Sequence, residues 1–411
     1  LSGNKLILVI FGVLFLVGCS PKTAPVKNTA TPSVTSTPEK KEEVKSSKQE
    51  TANKKVEQPE MVISLVLPFE LDAINYRTAA LRDLSKAELA IDFYQGFKMG
   101  LDSAAHNYGG KFKLQVYDSK DNPAAAAVLA AKAGIKNSDL IVGPIFPDGI
   151  KTFSTYSKSM QKLTVSPLAA ASPETFSNPY LITINNSIEQ HVDKAVDFIK
   201  SGLKAKHVLL IRSGQSDEYK YAVPFKKSIA GKVESFSEIG IKAVGIENIF
   251  KHLNPTANNV VVLPSTDRNF LLSVTRELDK LTRNFKISVI GHPAWDKLQF
   301  LDGNVMQNIN AHITSAYKID YKTPKIDGFI KSYRSRYELE PGEYAFKGFD
   351  IGFYFARIMA ENDKSFTDYL TKATYKGLHN NIRLIKNNQF GYYNTELLVL
   401  KYQDFQLKRV D

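Results

Sequence analysis

Cysteine is almost missing from this chain: Cys19 is the only one in 411 residues. One cysteine closes no disulfide and builds no multi-thiolate metal site. Tryptophan is equally scarce, with Trp295 alone. The seven histidines are scattered, with no pair at metal-ligand spacing. No G-x-S-x-G, H-E-x-x-H, Walker A or G-x-G-x-x-G occurs, so the usual hydrolase, zincin, P-loop and dinucleotide readings have no support. The expectation is a protein that is not an enzyme, with no catalytic residue, no metal and no cofactor. No Arg/Lys cluster is interleaved with aromatics, so nucleic acid is not an expected partner.

A bilayer-spanning run is lacking too. Leu6 to Val17 is an apolar run of 12 residues behind Lys5, well short of the ~20 residues that span a bilayer. It reads as the core of a signal peptide. Its end, Leu16-Val17-Gly18-Cys19, resembles the lipobox of bacterial lipoproteins. The resemblance implies a signal peptide over 1–18, acylation of Cys19 and a lipid membrane as partner through that residue. No Asp follows the cysteine in Ser20-Pro21-Lys22. The expected location is therefore the cell envelope, at the periplasmic face of the outer membrane. Residues 19–60 hold no aromatic, Leu or Ile. They read as a disordered tether, with an r.m.s. span of roughly 35 Å from 5–6 Å × √n.

The formal net charge is +12, of which the stretch 20–60 supplies +2 (eight Lys, six Glu) and Lys5 one more. The remaining +9 is spread over separated lysines of the body. It reads as a basic, solvated surface; attraction to anionic lipid or cell-wall polymer is the functional alternative.

From residue 61 short apolar runs alternate with helical patterns, as in a parallel sheet covered by helices. Strands are expected at Met61–Leu67, Phe112–Tyr117, Leu140–Val142, Leu163–Val165 and Tyr180–Ile184. The intervening helices start at the capping box Ser85-Lys86-Ala87-Glu88, at Asn122-Pro123 and at Pro147. A second capping box, Ser187 to Gln190, opens a helix to about Leu203. The alternation then restarts, with strands at His207–Ile211, Ser235–Ile239, Asn259–Leu263, Lys286–Ile290 and His312–Tyr317. Helices are expected near Pro324–Tyr337 and Glu343–Glu361. The last segment, from Ile382 through Asn387–Gly391 to Tyr402, reads as an antiparallel hairpin.

The texts VISLVLPF (62–69), DFYQGFKMGLDSA (92–104), DLIVGP (139–144), KLTVSPLAAAS (162–172) and GFDIGFYFARIMAEN (348–362) resemble the type I periplasmic-binding-protein fold of branched-chain amino-acid receptors. The resemblance implies two Rossmann-like α/β lobes joined by a three-crossover hinge, with ligand between them. Lobe 1 would cover about 61–185 and 318–378, and lobe 2 about 186–317 and 379–411. Crossovers would lie near Asn185–Ile188, Tyr317–Tyr321 and Gly377–Arg383. The chain is also similar to lipoprotein activators of penicillin-binding proteins.

In such a sheet the ligand edge is the carboxyl end of the strands. The candidate ligand-binding residues are accordingly Phe69, Ile145, Phe146, Ser166, Ala170, Ser172, Tyr219, Trp295 and Tyr317. Pro144 and Pro147 remove two N–H donors that a carboxylate would use, and the loop 144–148 has no hydroxyl. The expected function is capture of a small amino-acid-like or peptide-like solute for transport or sensing, with an ABC transporter permease as partner. The alternative is a scaffold for peptidoglycan or a cell-wall enzyme.

Overall fold

The computed structural model describes residues 59–411 apart from Ala73, Ile74, Tyr76 and Asp121. The signal run, Cys19 and nearly all of the tether lie outside the described residues.

The first lobe begins with β1 (Glu60–Leu67), α1 (Leu81–Tyr108), β2 (Lys111–Asp118), α2 (Pro123–Ala130), α3 (Ala133–Lys136), β3 (Leu140–Val142), α4 (Pro147–Met160), β4 (Thr164–Ser166) and β5 (Leu181–Thr183). The chain then builds α5 (Ile188–Ser201), β6 (His207–Arg212), α6 (Tyr219–Ile229), β7 (Ser235–Gly240), α7 (Ile241–Val244), β8 (Asn259–Leu263), α8 (Arg268–Leu281), β9 (Ile287–Gly291), α9 (Gly303–Asn308) and β10 (Ala311–Ser315). It returns through α10 (Pro324–Tyr337), α11 (Glu343–Asn362), β11 (Thr374–Lys376), β12 (Asn381–Asn387) and β13 (Gly391–Asn394), and ends with β14 (Leu398–Gln403) and β15 (Gln406–Arg409).

Two sheets result among the described residues. One has the order β11-β12-β13-β5-β4-β3-β1-β2, the other β15-β14-β10-β9-β8-β6-β7. Both are parallel except at one edge, where β11, β12, β14 and β15 pair antiparallel. Each central strand is buried on both faces, as a helix-covered parallel sheet requires. In β6, Leu209 and Ile211 join one core while Val208 and Leu210 join the other. In β1, Ile63, Leu65 and Leu67 face α1 and α11, and Val66 faces α2 and α4.

Helices α1 and α11 meet through glycines. A Cβ on Gly96 would lie 1.9 Å from the Ala345 carbonyl oxygen, and one on Gly100 2.3 Å from that of Phe349. Gly348 and Gly352 meet the Phe93 and Phe97 carbonyls in the same way, at 2.2 and 2.4 Å. Two G-x-x-x-G pairs thus press the helix backbones together with no side chain between them.

Four expectations change. α1 starts at Leu81, one turn ahead of the expected cap, so Ser85 lies inside the helix. The Ala-rich helix breaks after Ala130 and resumes at Ala133. Ile246–His252, whose pattern reads as a helix, is a 3-10 helix. The last change concerns the hairpin. Asn387 pairs with Gly391, so the short turn commits Gly391–Asn394, not the later run, to β12. β13 then lies parallel to β5 in the first sheet. The third crossover therefore falls at 394–398 instead of near Gly377–Arg383, and 379–394 belongs with lobe 1.

Candidate functional site

The three crossovers run at 184–188, 315–324 and 394–398, and asparagines tie them together. Asn186 Nδ2 and Gln190 Nε2 donate to the Asn394 carbonyl at 2.9 and 2.7 Å. Asn394 Oδ1 accepts from the Arg383 and Glu396 N–H groups, and its Nδ2 donates to the Asn381 carbonyl. Asn380 Nδ2 donates to the Ala316 carbonyl at 3.1 Å. Short amide side chains satisfy backbone groups that neither sheet can pair.

Below this hinge Asp350, fully buried, accepts from the Leu378, His379 and Asn380 N–H groups (2.7, 2.7 and 2.8 Å) and from the Tyr375 hydroxyl (3.0 Å). Burial raises its pKa to about 6 against the pull of those donors. A single carboxylate so fixes the loop that carries His379.

Tyr317 leaves the second crossover into a polar cluster where the lobes meet. Its hydroxyl donates to Asp296 Oδ2 at 2.9 Å, and its ring stacks on His379 with centroids 4.1 Å apart. Lys297, in the loop after β9, pairs with Glu343 at the start of α11 (3.3 Å), which joins one lobe to the other. Lys347 reaches the same carboxylate at 3.2 Å. The Asn380 amide is oriented by Ala316, so its Oδ1 faces His379 Nδ1 at 2.6 Å and that nitrogen carries the proton. His379 Nε2 then faces Glu343 Oε1 at 3.6 Å, the same oxygen that Lys347 approaches. Burial lowers the His379 pKa, with Glu343 pulling the other way. Burial works to raise the Glu343 pKa, but His379, Lys347 and Lys297 outweigh it and hold the carboxyl well below its ordinary range. Burial raises Asp296, opposed by Tyr317.

Beside this cluster a cavity of ≈ 300 Å³ is walled by Asp296, Leu400 and Leu407 of the second lobe, Tyr317 and Tyr321 of the crossover and Glu343 of the first lobe. That volume and mixed lining suit a small amphipathic solute.

The candidates from sequence do not converge on it. Of the nine, Tyr317 alone lines this cavity. Phe69 is buried edge-on to Tyr94, and Ile145 lies in the first-lobe core. Phe146 packs half-buried at the start of α4. Ser166 is buried with an unpartnered Oγ. Ala170 is exposed, and Ser172 is 3.4 Å from Glu174. Tyr219 is 48% exposed with the Arg212 guanidinium 4.7 Å from its ring. Trp295 is 1% exposed: it lies against Gly291 in the second core, and its Nε1 donates to the Ser265 carbonyl at 2.9 Å. It has no face left for a ligand, which corrects its place among the candidate ligand-binding residues. Asp296, Glu343, Lys347 and His379 had no signal beyond being charged or titratable residues at element ends or inside a helix. Among the described residues no group of His, Cys, Asp or Glu is arranged to hold a metal ion.

No family model matches this chain, and no curated protein matches it. Solved structures do. A putative branched-chain amino acid ABC transporter protein from Rhodospirillum rubrum is 13% identical, covers 86% of this chain and 100% of its own, and gives a TM-score of 0.63. An ABC transporter substrate-binding protein from Desulfitobacterium hafniense, in complex with Leu, is 12% identical over 86% of this chain and 100% of its own, with a TM-score of 0.56. A branched chain amino acid ABC transporter periplasmic ligand-binding protein from Burkholderia xenovorans LB400 is 13% identical over 85% and 94%, with a TM-score of 0.55. At these identities the likeness is one of fold.

Proposed function

We propose that this chain, which has the type I periplasmic-binding-protein fold, is an extracytoplasmic receptor that captures a small solute between its lobes and is not an enzyme. One observation carries the reading: two separately cored lobes meet at an asparagine-tied hinge and the charged cluster beside it, next to a cavity that both lobes and the hinge wall. Such an arrangement lets the lobes close on a solute while each sheet stays rigid. The similar solved structures are substrate-binding proteins of ABC transporters, which supports an amino-acid-like or peptide-like solute and a permease as partner. Cys19 behind its apolar run supports a lipid anchor, with the body held at the periplasmic face of the outer membrane.

The test is a melting-temperature screen of amino acids, peptides and other small solutes, followed by small-angle scattering of each hit. A true ligand adds ~2.7 kcal/mol of stability at a hundredfold excess over Kd, and scattering shows a more compact molecule. Tyr317→Phe, which removes the hydroxyl bound to Asp296, lowers the ligand-induced shift. A screen with no shift and no compaction sinks the receptor reading.

A further inference from the structure

We propose that the second lobe carries, at the end remote from the strand-end cleft, a binding site for a phosphoryl anion. Strands β7, β6 and β8 begin side by side there. Their register sets Ser235, His207 and Asn259 in one row, with Ser237 two residues along β7 beside Leu209. Three parallel strands thus open on polar side chains in a row. A cavity of ≈ 280 Å³ lies over this row, closed on its other side by the segment Lys251 to Pro255.

The lining is acid-free. It offers the Lys251 ammonium, the imidazoles of His207 and His252 and the hydroxyls of Ser235 and Ser237, with no Asp or Glu. Glu234, the acid beside Ser235 in sequence, is outside the lining and paired with Lys206 at 2.9 Å. The wall is fixed before any ligand arrives. Asn259 Oδ1 accepts from the Asn254 N–H at 2.7 Å, and its Nδ2 donates back to the Asn254 carbonyl at 2.9 Å. Asn254 Oδ1 is taken by the N–H groups of Thr256 and Ala257, both at 2.9 Å. Its Nδ2 must therefore point to His207 Nε2, 3.0 Å away. That nitrogen accepts, so His207 keeps its ring proton on Nδ1, as a donor. A fixed imidazole donor, a second imidazole, an ammonium and two hydroxyls in one small recess suit a ligand with several acceptor oxygens and negative charge. A phosphoryl group is that ligand, with Lys251 as the point charge. The volume admits the group with a small substituent, so it fits either a free phosphate ester or the headgroup of a phospholipid.

The test uses the full chain with Cys19→Ser, titrated calorimetrically with inorganic phosphate and glycerol phosphate at constant ionic strength. Both bind, and Lys251→Ala/His252→Ala, two exposed positions outside either core, weakens them about tenfold or more. Chloride at the same concentration gives no heat. Flotation with phosphatidylglycerol vesicles, against phosphatidylcholine vesicles, separates the sources: capture lost in the double variant assigns a lipid headgroup, and binding of soluble esters alone assigns a free ester. Equal phosphate affinity in parent and double variant, or no heat with either soluble probe, overturns the site.

Discussion

Three histidines of the second lobe are neutral rings, His191 and His312 buried and His292 half-buried. His191 bonds Thr314 Oγ1 at 2.9 Å, His292 accepts from the Ala294 N–H at 3.1 Å, and His312 lies beside the Phe198 ring. Burial pushes all three down to about 4, with the nearby His292 adding for His191 and Lys401 for His312, while Asp217 pulls His292 the other way. The unfolded chain takes up protons near pH 6.5, whereas the folded rings wait until about pH 4. Stability is therefore full above pH 6.5 and falls as the pH drops towards 4, by on the order of 2 kcal/mol per histidine at pH 5. Urea unfolding at pH 7 and pH 5 reads this directly. His191→Gln/His312→Gln shrinks the difference between the two, and an unchanged difference shows that these rings are not the cause. At this scale the sequence was least legible. Trp295 stands after a strand end, where an aromatic can face solvent or core; only the room left by Gly291 decides, and that is a matter of packing. Asp350 reads as an ordinary helical acid until its three backbone donors, which come from 28 to 30 residues away, are in view.

Among the elements, α1 and α11 are the pair most sensitive to a single atom. Adding one methyl at Gly96 sets it against the Ala345 carbonyl, a backbone atom that cannot rotate away. Gly96→Ala is expected to destabilise the protein at the upper end of the ~1–3 kcal/mol typical of overpacking, although alanine is the better helix former. Chemical denaturation measures it; a neutral or stabilised variant contradicts the close approach. The alternation of short apolar runs with helical patterns made the strands and most helices readable, because strands buried on both faces leave uninterrupted apolar text. Helix beginnings were less clear, since Ser85 to Glu88 fits a cap equally well inside a helix. Gly391 was ambiguous for a different reason. A turn tells where a hairpin folds back but not which sheet receives the strand after it.

For the molecule as a whole, two lobes and three crossovers were legible through the order of elements, while the place of the last crossover and the charged junction were not. The junction is assembled from the loop after β9, a crossover, a helix start and the loop before β12, at 296–297, 317, 343–347 and 379, and no local pattern links those positions. Cys19→Ser is expected to move the protein from the membrane pellet to the soluble fraction, because Cys19 is the one cysteine of the sequence that could be acylated. Retention in the pellet after a high-salt wash would falsify anchoring through that residue.

The route of the chain also governs the timetable of its birth. β13 adds to β5 only once residue 394 exists, and β14 to β10 only once residue 403 does. Each lobe waits for a strand made after the other lobe has begun, so both sheets stay incomplete until residue 394 has been made. One short stretch, 391–403, therefore supplies the strand that each sheet is missing, and the two lobes complete their sheets almost together.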